Sequence, residues 1–152
     1  MTKTSNKDPY LQALRWLGYR DYSRQDLSAR LLRAGFPEPL VDSVMDQLEA
    51  KGWLDDKRVA AQLIEQCLRN GTMGPRLVVQ KLQDKKLPRE VWEPLWEERQ
   101  QNIDWLKIAE GLQERYDIKD DRERIRYGRY LVRRGFPTSI VWKIIGHGDQ
   151  GG

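Results

Sequence analysis

The chain has 152 residues, with 27 Lys and Arg against 23 Asp and Glu, a formal net charge of +4 and a pI of about 9.2. One third of the residues are charged and the mean hydropathy is −0.79, so a polar-surfaced soluble protein is expected, with no run near the roughly 18 apolar residues of a membrane span. One cysteine, Cys67, and one histidine, His147, leave no internal disulfide, no Cys/His zinc centre and no Ser–His–Asp or Cys–His pair, which fits a reducing cytoplasm and disfavours an enzyme.

Reading from the amino terminus, MTKTSNKDPY holds no apolar stretch of the secretory-signal kind, and residues 1–7 are expected to form a flexible tail. A helical segment follows from Tyr10 to Arg20. Next comes LLRAGFPEPLVDSV, starting at Leu31, and its pattern returns twice: LQDKKLPREVWEPL from Leu82 and LVRRGFPTSIVWKI from Leu131. Gly35–Phe36–Pro37 aligns with Lys86–Leu87–Pro88 and with Gly135–Phe136–Pro137. Leu40, Val91 and Ile140 follow in register, then Val44, Leu95 and Ile144. The glycine supplies the left-handed position that ends one helix, and the proline opens the next. The middle copy carries Lys86 in the glycine slot.

Each copy is therefore a helix–turn–helix, preceded by a further helix: Tyr10 to Arg20, Asp55 to Asn70, and Ile103 to Tyr116. In the second of these, Val59, Leu63, Ile64 and Cys67 form an amphipathic stripe, which makes Cys67 a small core residue. Asp55 is placed as the N-cap of that helix and Gly52 as the terminator of the one before it. The pair Asp55–Asp56 is read as capping rather than as metal binding or catalysis. Trp92 and Trp96, four residues apart, are read as inter-helix core, with stacking on nucleic-acid bases as the alternative. Pro94 between them predicts a bend. No sustained period-2 alternation predicts a strand. The expected fold is all-α: three tandem three-helix repeats over 8–51, 52–101 and 102–146, elongated or crescent-shaped, with a second flexible tail over 147–152.

The carboxyl-terminal GHGDQG, from Gly146, matches G-x-G-x-x-G but has no strand before it and no helix after it, so it is not read as a nucleotide site. No cofactor or metal is expected. The strongest local signal is charge. Residues 122–134, RERIRYGRYLVRR, hold six arginines and one glutamate. At 100° per residue, Arg122, Arg126, Arg129 and Arg133 fall within about 60° of one another, with Ile125, Gly128, Leu131 and Val132 expected on roughly the opposite, buried side. Such a row of guanidiniums suits phosphate or carboxylate partners. A weaker version stands in the first repeat at Arg30 and Arg33, the latter aligned with Arg133. The middle repeat has Asp84 at that position but carries Lys81, Lys85 and Lys86 around it.

Three segments in order, RDYSRQDLSARLLRAGF (from Arg20), KGWLDDKRVAAQLI (from Lys51) and GPRLVVQKLQDKKL (from Gly74), resemble the RecX family of bacterial recombination regulators. Gly52, Leu54, Asp55, Asp56, Arg58 and Ala60 match the second family motif, with Trp53 and Val59 as aromatic and apolar replacements. Asp26 stands where the family usually has Glu, and Lys86 replaces the turn glycine. The resemblance implies three tandem three-helix repeats. It also implies a regulator that binds the RecA recombinase and its filament on DNA and restrains strand exchange and the associated ATP hydrolysis. The arginine row is expected to give weak sequence-independent DNA binding, composition speaks against membrane attachment and enzymatic activity, and a monomer is expected. The residues expected at the filament are Arg122, Arg126, Arg129, Arg133, Arg30, Arg33, Lys81 and Lys85. A stand-alone helical DNA-binding module is the alternative. The third helices open on Pro37, Pro88 and Pro137 followed mostly by apolar or acidic residues, which argues against it.

Overall fold

A computed structural model describes residues 8–116 and 118–146. The two expected tails, His147 and most of the GHGDQG segment lie outside the described residues. Within them are nine helices and no strand: α1 (Pro9–Leu17), α2 (Arg24–Arg33), α3 (Glu38–Ala50), α4 (Asp56–Arg69), α5 (Pro75–Asp84), α6 (Arg89–Gln100), α7 (Trp105–Gln113), α8 (Asp121–Arg133) and α9 (Thr138–Ile145). Among the described residues no helix is long and apolar enough to cross a membrane.

The helix ends follow local chemistry. Asp8 caps α1, accepting from Tyr10 N at 3.0 Å, and buried Ser23 caps α2, accepting from Asp26 N at 3.1 Å. The α2–α3 and α8–α9 turns are built alike. Phe36 N donates to Leu31 O and Gly35 N to Leu32 O, and Phe136 N and Gly135 N repeat both bonds to Leu131 O and Val132 O. This double closure is the Schellman arrangement, which requires a left-handed residue. Gly35 has φ 102° and Gly135 φ 94°. Lys86, in the same slot of the middle repeat, is the one described non-glycine residue with positive φ, at 63°. Pro37 and Pro137 stand at the N-cap rather than inside the helix.

The described residues group into two compact units, whose boundaries fall within α4, α5 and α6: one comprises 8–62 with 83–93, the other 63–82 with 94–116 and 118–146. In the first unit α1, α2 and α3 close on Leu27, Leu31, Val41, Met45 and Leu48, all fully buried. In the second, α7, α8 and α9 close on Ala109, Leu112, Leu131 and Phe136, while Tyr127 donates its hydroxyl to Ala109 O at 3.0 Å. α6 runs through Pro94 without interruption. Trp92 and Trp96 are both buried, and Trp96 lies 5.9 Å from the Trp105 ring, so both tryptophans belong to the core. Cys67 is also buried, and burial pushes its thiol up against the opposing pull of Lys81.

The GWLDDKR segment is a helix junction. Gly52 (φ 80°) ends α3, Leu54 is buried, and Asp55 caps α4 by accepting from Arg58 N at 3.2 Å. Arg58 returns a bond to Gly52 O at 3.1 Å. Asp56 reaches across the chain and accepts from Arg24 N at 2.8 Å, satisfying a free donor in the first turn of α2. The Arg24 side chain meanwhile pairs with Asp46 at 2.9 Å and with Glu49. Both aspartates are thus capping groups, and among the described residues no three His, Cys, Asp or Glu side chains gather as metal ligands.

Candidate nucleic-acid interface

α8 is polarised along its length. Asp120 caps it, accepting from Glu123 N at 2.9 Å, Asp121 and Glu123 sit in its first turn, and Arg133 sits in its last. That order suits the helix dipole. Tyr127, Gly128 and Leu131 are its buried face.

The six arginines of this segment divide into two sets. Arg124 pairs with Asp121 at 2.9 Å. Arg134 donates to Thr72 O at 2.8 Å and to Thr72 Oγ1 at 3.0 Å, so it ties the end of α8 to the loop before α5. Arg122, Arg126, Arg129 and Arg133 are exposed, and none of the four has an ion pair or hydrogen bond to a described residue. The row read from the sequence is present, aimed at solvent and unneutralised.

Its surroundings differ from the expectation. Ile125 and Val132 are 54% and 51% exposed, so they do not share the buried face with Gly128 and Leu131. On the helical wheel they stand roughly 80° from the centre of the row, at its flank and not opposite it. With Trp142 of α9, which is 67% exposed, they wall a groove of about 540 Å³ along one side of the arginines. On the other side lies a smaller hollow of about 250 Å³, where Tyr116 and Tyr130 meet Arg126 and Arg133. The rings of Tyr116 and Tyr130 are 5.3 Å apart. Burial, reinforced by the two neighbouring phenols, pushes the Tyr127 hydroxyl well above the ordinary tyrosine range, so it stays neutral.

The other candidate cations are held in different ways. Arg30 lies 4.4 Å from the centre of the Trp16 ring and donates to the Tyr22 hydroxyl, so its guanidinium is engaged within the first unit. Lys85 donates to Asp21 O at 3.0 Å. Arg33 and Lys81 are exposed. Of these candidate cations, the four on α8 are the ones that stand together on one helical face, exposed and unpaired among the described residues. Sequence reading missed the exposed apolar flank, although the angular positions of Ile125 and Val132 already carried the signal.

Comparison with known proteins places this architecture. The model of the first three-helix domain of RecX matches residues 10–48. Regulatory protein RecX of Acidithiobacillus ferrooxidans (strain ATCC 53993 / BNL-5-31) is 34% identical over 151 residues, spanning 97% of this chain and 95% of that protein. The chain belongs to the RecX family. The regulatory protein RecX of Halorhodospira halophila is 31% identical over 133 residues, covering 85% of this chain and 81% of the relative. Two crystal structures share the fold. One of regulatory protein RecX superposes with a TM-score of 0.74 at 22% identity, over 91% of this chain and 71% of that one. RecX from Lactobacillus salivarius gives 0.71 at 21% identity, over 93% and 95%.

Proposed function

We propose that this chain regulates the RecA recombinase. It binds RecA and the RecA filament on DNA, inhibits or modulates strand exchange and the associated ATPase, and so bears on DNA repair, recombination and the SOS response. It acts in the cytoplasm as a monomer that binds rather than catalyses, with no cofactor. Membership of a family of regulatory proteins supports this reading. The observation that carries the DNA part is the row of Arg122, Arg126, Arg129 and Arg133, exposed and without a partner among the described residues.

Four guanidiniums on one helical face track a phosphate backbone without reading bases. Each phosphate neutralised releases condensed counterions, so affinity falls with salt by a log–log slope of about 0.7 to 0.9 per contact. Four contacts correspond to a slope near 3. In this proposal Lys81 is a further phosphate contact of the second unit, and Arg33, with Arg30 and Lys85 once their present partners are exchanged for phosphates, are contacts of the first.

The test is RecA ATPase on single-stranded DNA, with and without this protein, alongside a variant carrying Gln at all four positions. Gln is nearly as good a helix former as Arg, so helicity is retained. Wild type slows hydrolysis, and the variant loses DNA binding and much of that effect. If wild type leaves RecA untouched yet binds DNA, the stand-alone DNA-binding module takes its place. If neither DNA binding nor inhibition changes in the variant, the row is a solvated face.

A further inference from the structure

Beside the arginine row, the groove between α8 and α9 presents chemistry that phosphates do not use. Ile125 and Val132 are seven residues apart on α8, about 10 Å along its axis, and Trp142 faces them from α9. All three are more than half exposed. The groove is narrow at its floor because α8 approaches α9 at Gly128, where an added Cβ would fall 2.9 Å from Ile145 Cδ1. Scattered exposed apolar side chains are ordinary. Three large ones gathered around one concavity mark an interaction surface.

We propose that this groove takes the apolar face of a short, acidic, amphipathic helix from a partner protein. The length and shape suit helix-in-groove docking, with anchors one and two turns apart. Trp142 is the kind of side chain that dominates such contacts. Charge selects the partner. Arg129 and Arg133 line the same groove one helical turn apart, unpaired with any described residue, so carboxylates at i and i+4 on the incoming helix meet them. A second copy of this chain meeting the groove through the same face would bring a second row of guanidiniums to it, like charge against like. A duplex phosphate backbone would satisfy the arginines and leave the apolar walls uncovered, and the aliphatic Ile125 and Val132 offer a single strand no ring to stack on. The proposal goes beyond the DNA contact and does not depend on it.

The probe is a fluorescent, alanine-based peptide of about 15 residues, long enough to form a helix on binding, with leucines at i, i+3 and i+7 and a flanking i, i+4 pair of glutamates. Its control has the same composition in shuffled order. Anisotropy titration of the full chain is expected to show at least tenfold tighter binding of the patterned peptide than of the shuffled one. The double variant Val132→Ser/Trp142→Ser alters exposed positions only and keeps every arginine. It is expected to lose that preference while retaining DNA binding with an unchanged salt slope. Arg129→Gln/Arg133→Gln should weaken the peptide several-fold and abolish the salt dependence of its binding. Equal binding of both peptides, or a preference untouched in the serine variant, overturns the proposal. So does concentration-dependent dimerisation that the serine variant abolishes, which would make the groove a self-interface. Loss of DNA binding in the serine variant, with no peptide preference in wild type, would assign the groove to nucleic acid instead. Failure of the RecA ATPase assay alters none of these readouts.

Discussion

Alanine in place of Gly135 is expected to destabilise the protein more than alanine in place of Gly35, although both glycines close the same turn with nearly the same φ. At Gly35 an added Cβ meets nothing within 4 Å, so the cost is that of forcing an L-residue to φ 102°, about 1–2 kcal/mol. At Gly135 the same penalty applies, but the Cβ would stand 2.3 Å from Leu77 N and 2.6 Å from Leu77 Cβ, against helix backbone that cannot swing aside. Relief requires α5 to back away. That movement threatens the bonds from Gly74 N to Arg134 O at 2.7 Å and from Arg76 N to Gly135 O at 3.0 Å. Each is worth roughly 0.5–1.5 kcal/mol net, so Gly135→Ala should cost about 2–5 kcal/mol in all. The middle repeat supplies the inverse experiment. Lys86 holds φ 63° without glycine, and Lys86→Gly should stabilise by up to about 1 kcal/mol, less the extra entropy glycine loses on folding. Urea unfolding followed by far-UV circular dichroism ranks the three. A chain of two units need not unfold in one step, so midpoints of each transition are compared separately. Equal losses at Gly35 and Gly135 would refute the close approach of α5 to the last turn. A destabilising Lys86→Gly would refute the claim that its backbone is the strained part.

Two further predictions concern charges held inside the fold. Arg134→Ala should cost about 1–3 kcal/mol through its two bonds to Thr72, whereas Arg133→Ala, one residue away and exposed, should stay within about 0.5 kcal/mol; thermal unfolding distinguishes them, and equal effects would refute the division of the arginines. Asp56→Ala should cost about 1 kcal/mol by leaving the first-turn Arg24 N–H of α2 without its acceptor, while Ser23 still caps the helix, whereas Asp56→Asn keeps an acceptor for Arg24 N. Burial raises the Asp56 carboxyl above its ordinary value of 3.8 against the opposing Arg24 N–H bond, so the folded state holds the proton more tightly. Its contribution to stability is therefore greatest below 3.8 and falls as pH rises through the raised folded value, and wild type minus Asp56→Asn should show that slope. A difference independent of pH would mean that burial does not govern this carboxylate.

The fold was legible because each repeat states its own punctuation. A glycine or its lysine substitute, then an apolar residue, then proline marks the same turn three times, and the Schellman bonds at Gly35 and Gly135 follow from those residues alone. Cys67, Trp92 and Trp96 fell into the core because their spacing put them on apolar stripes. The second role of Asp56 was not legible. Its sequence position says only that it opens α4, and its bond to Arg24 joins residues 32 apart. Nor did the repeats announce the grouping into two units, since α4, α5 and α6 each lend residues to both. Contacts of that kind depend on how helices distant in sequence pack, and a local pattern carries no record of them.

For the site, a helical wheel gives angles, but neighbours decide which angles are buried. The arginine row held because four like charges cannot turn inward together. The non-polar residues of α8 do not share one face: the face that packs is centred on Leu131, between Tyr127 and Gly128. Tyr127 enters it because its hydroxyl finds Ala109 O, and Gly128 because Ile145 fills the space a side chain would need. With those positions taken, Ile125 and Val132 remain at the edge, next to the arginines. A polar residue with a buried acceptor thus displaced two apolar ones, and the displaced pair, with Trp142, turned a charged stripe into an amphipathic surface. Such a surface sets guanidiniums that pair with phosphates or carboxylates beside an apolar wall, so charge and apolar burial act on the same face.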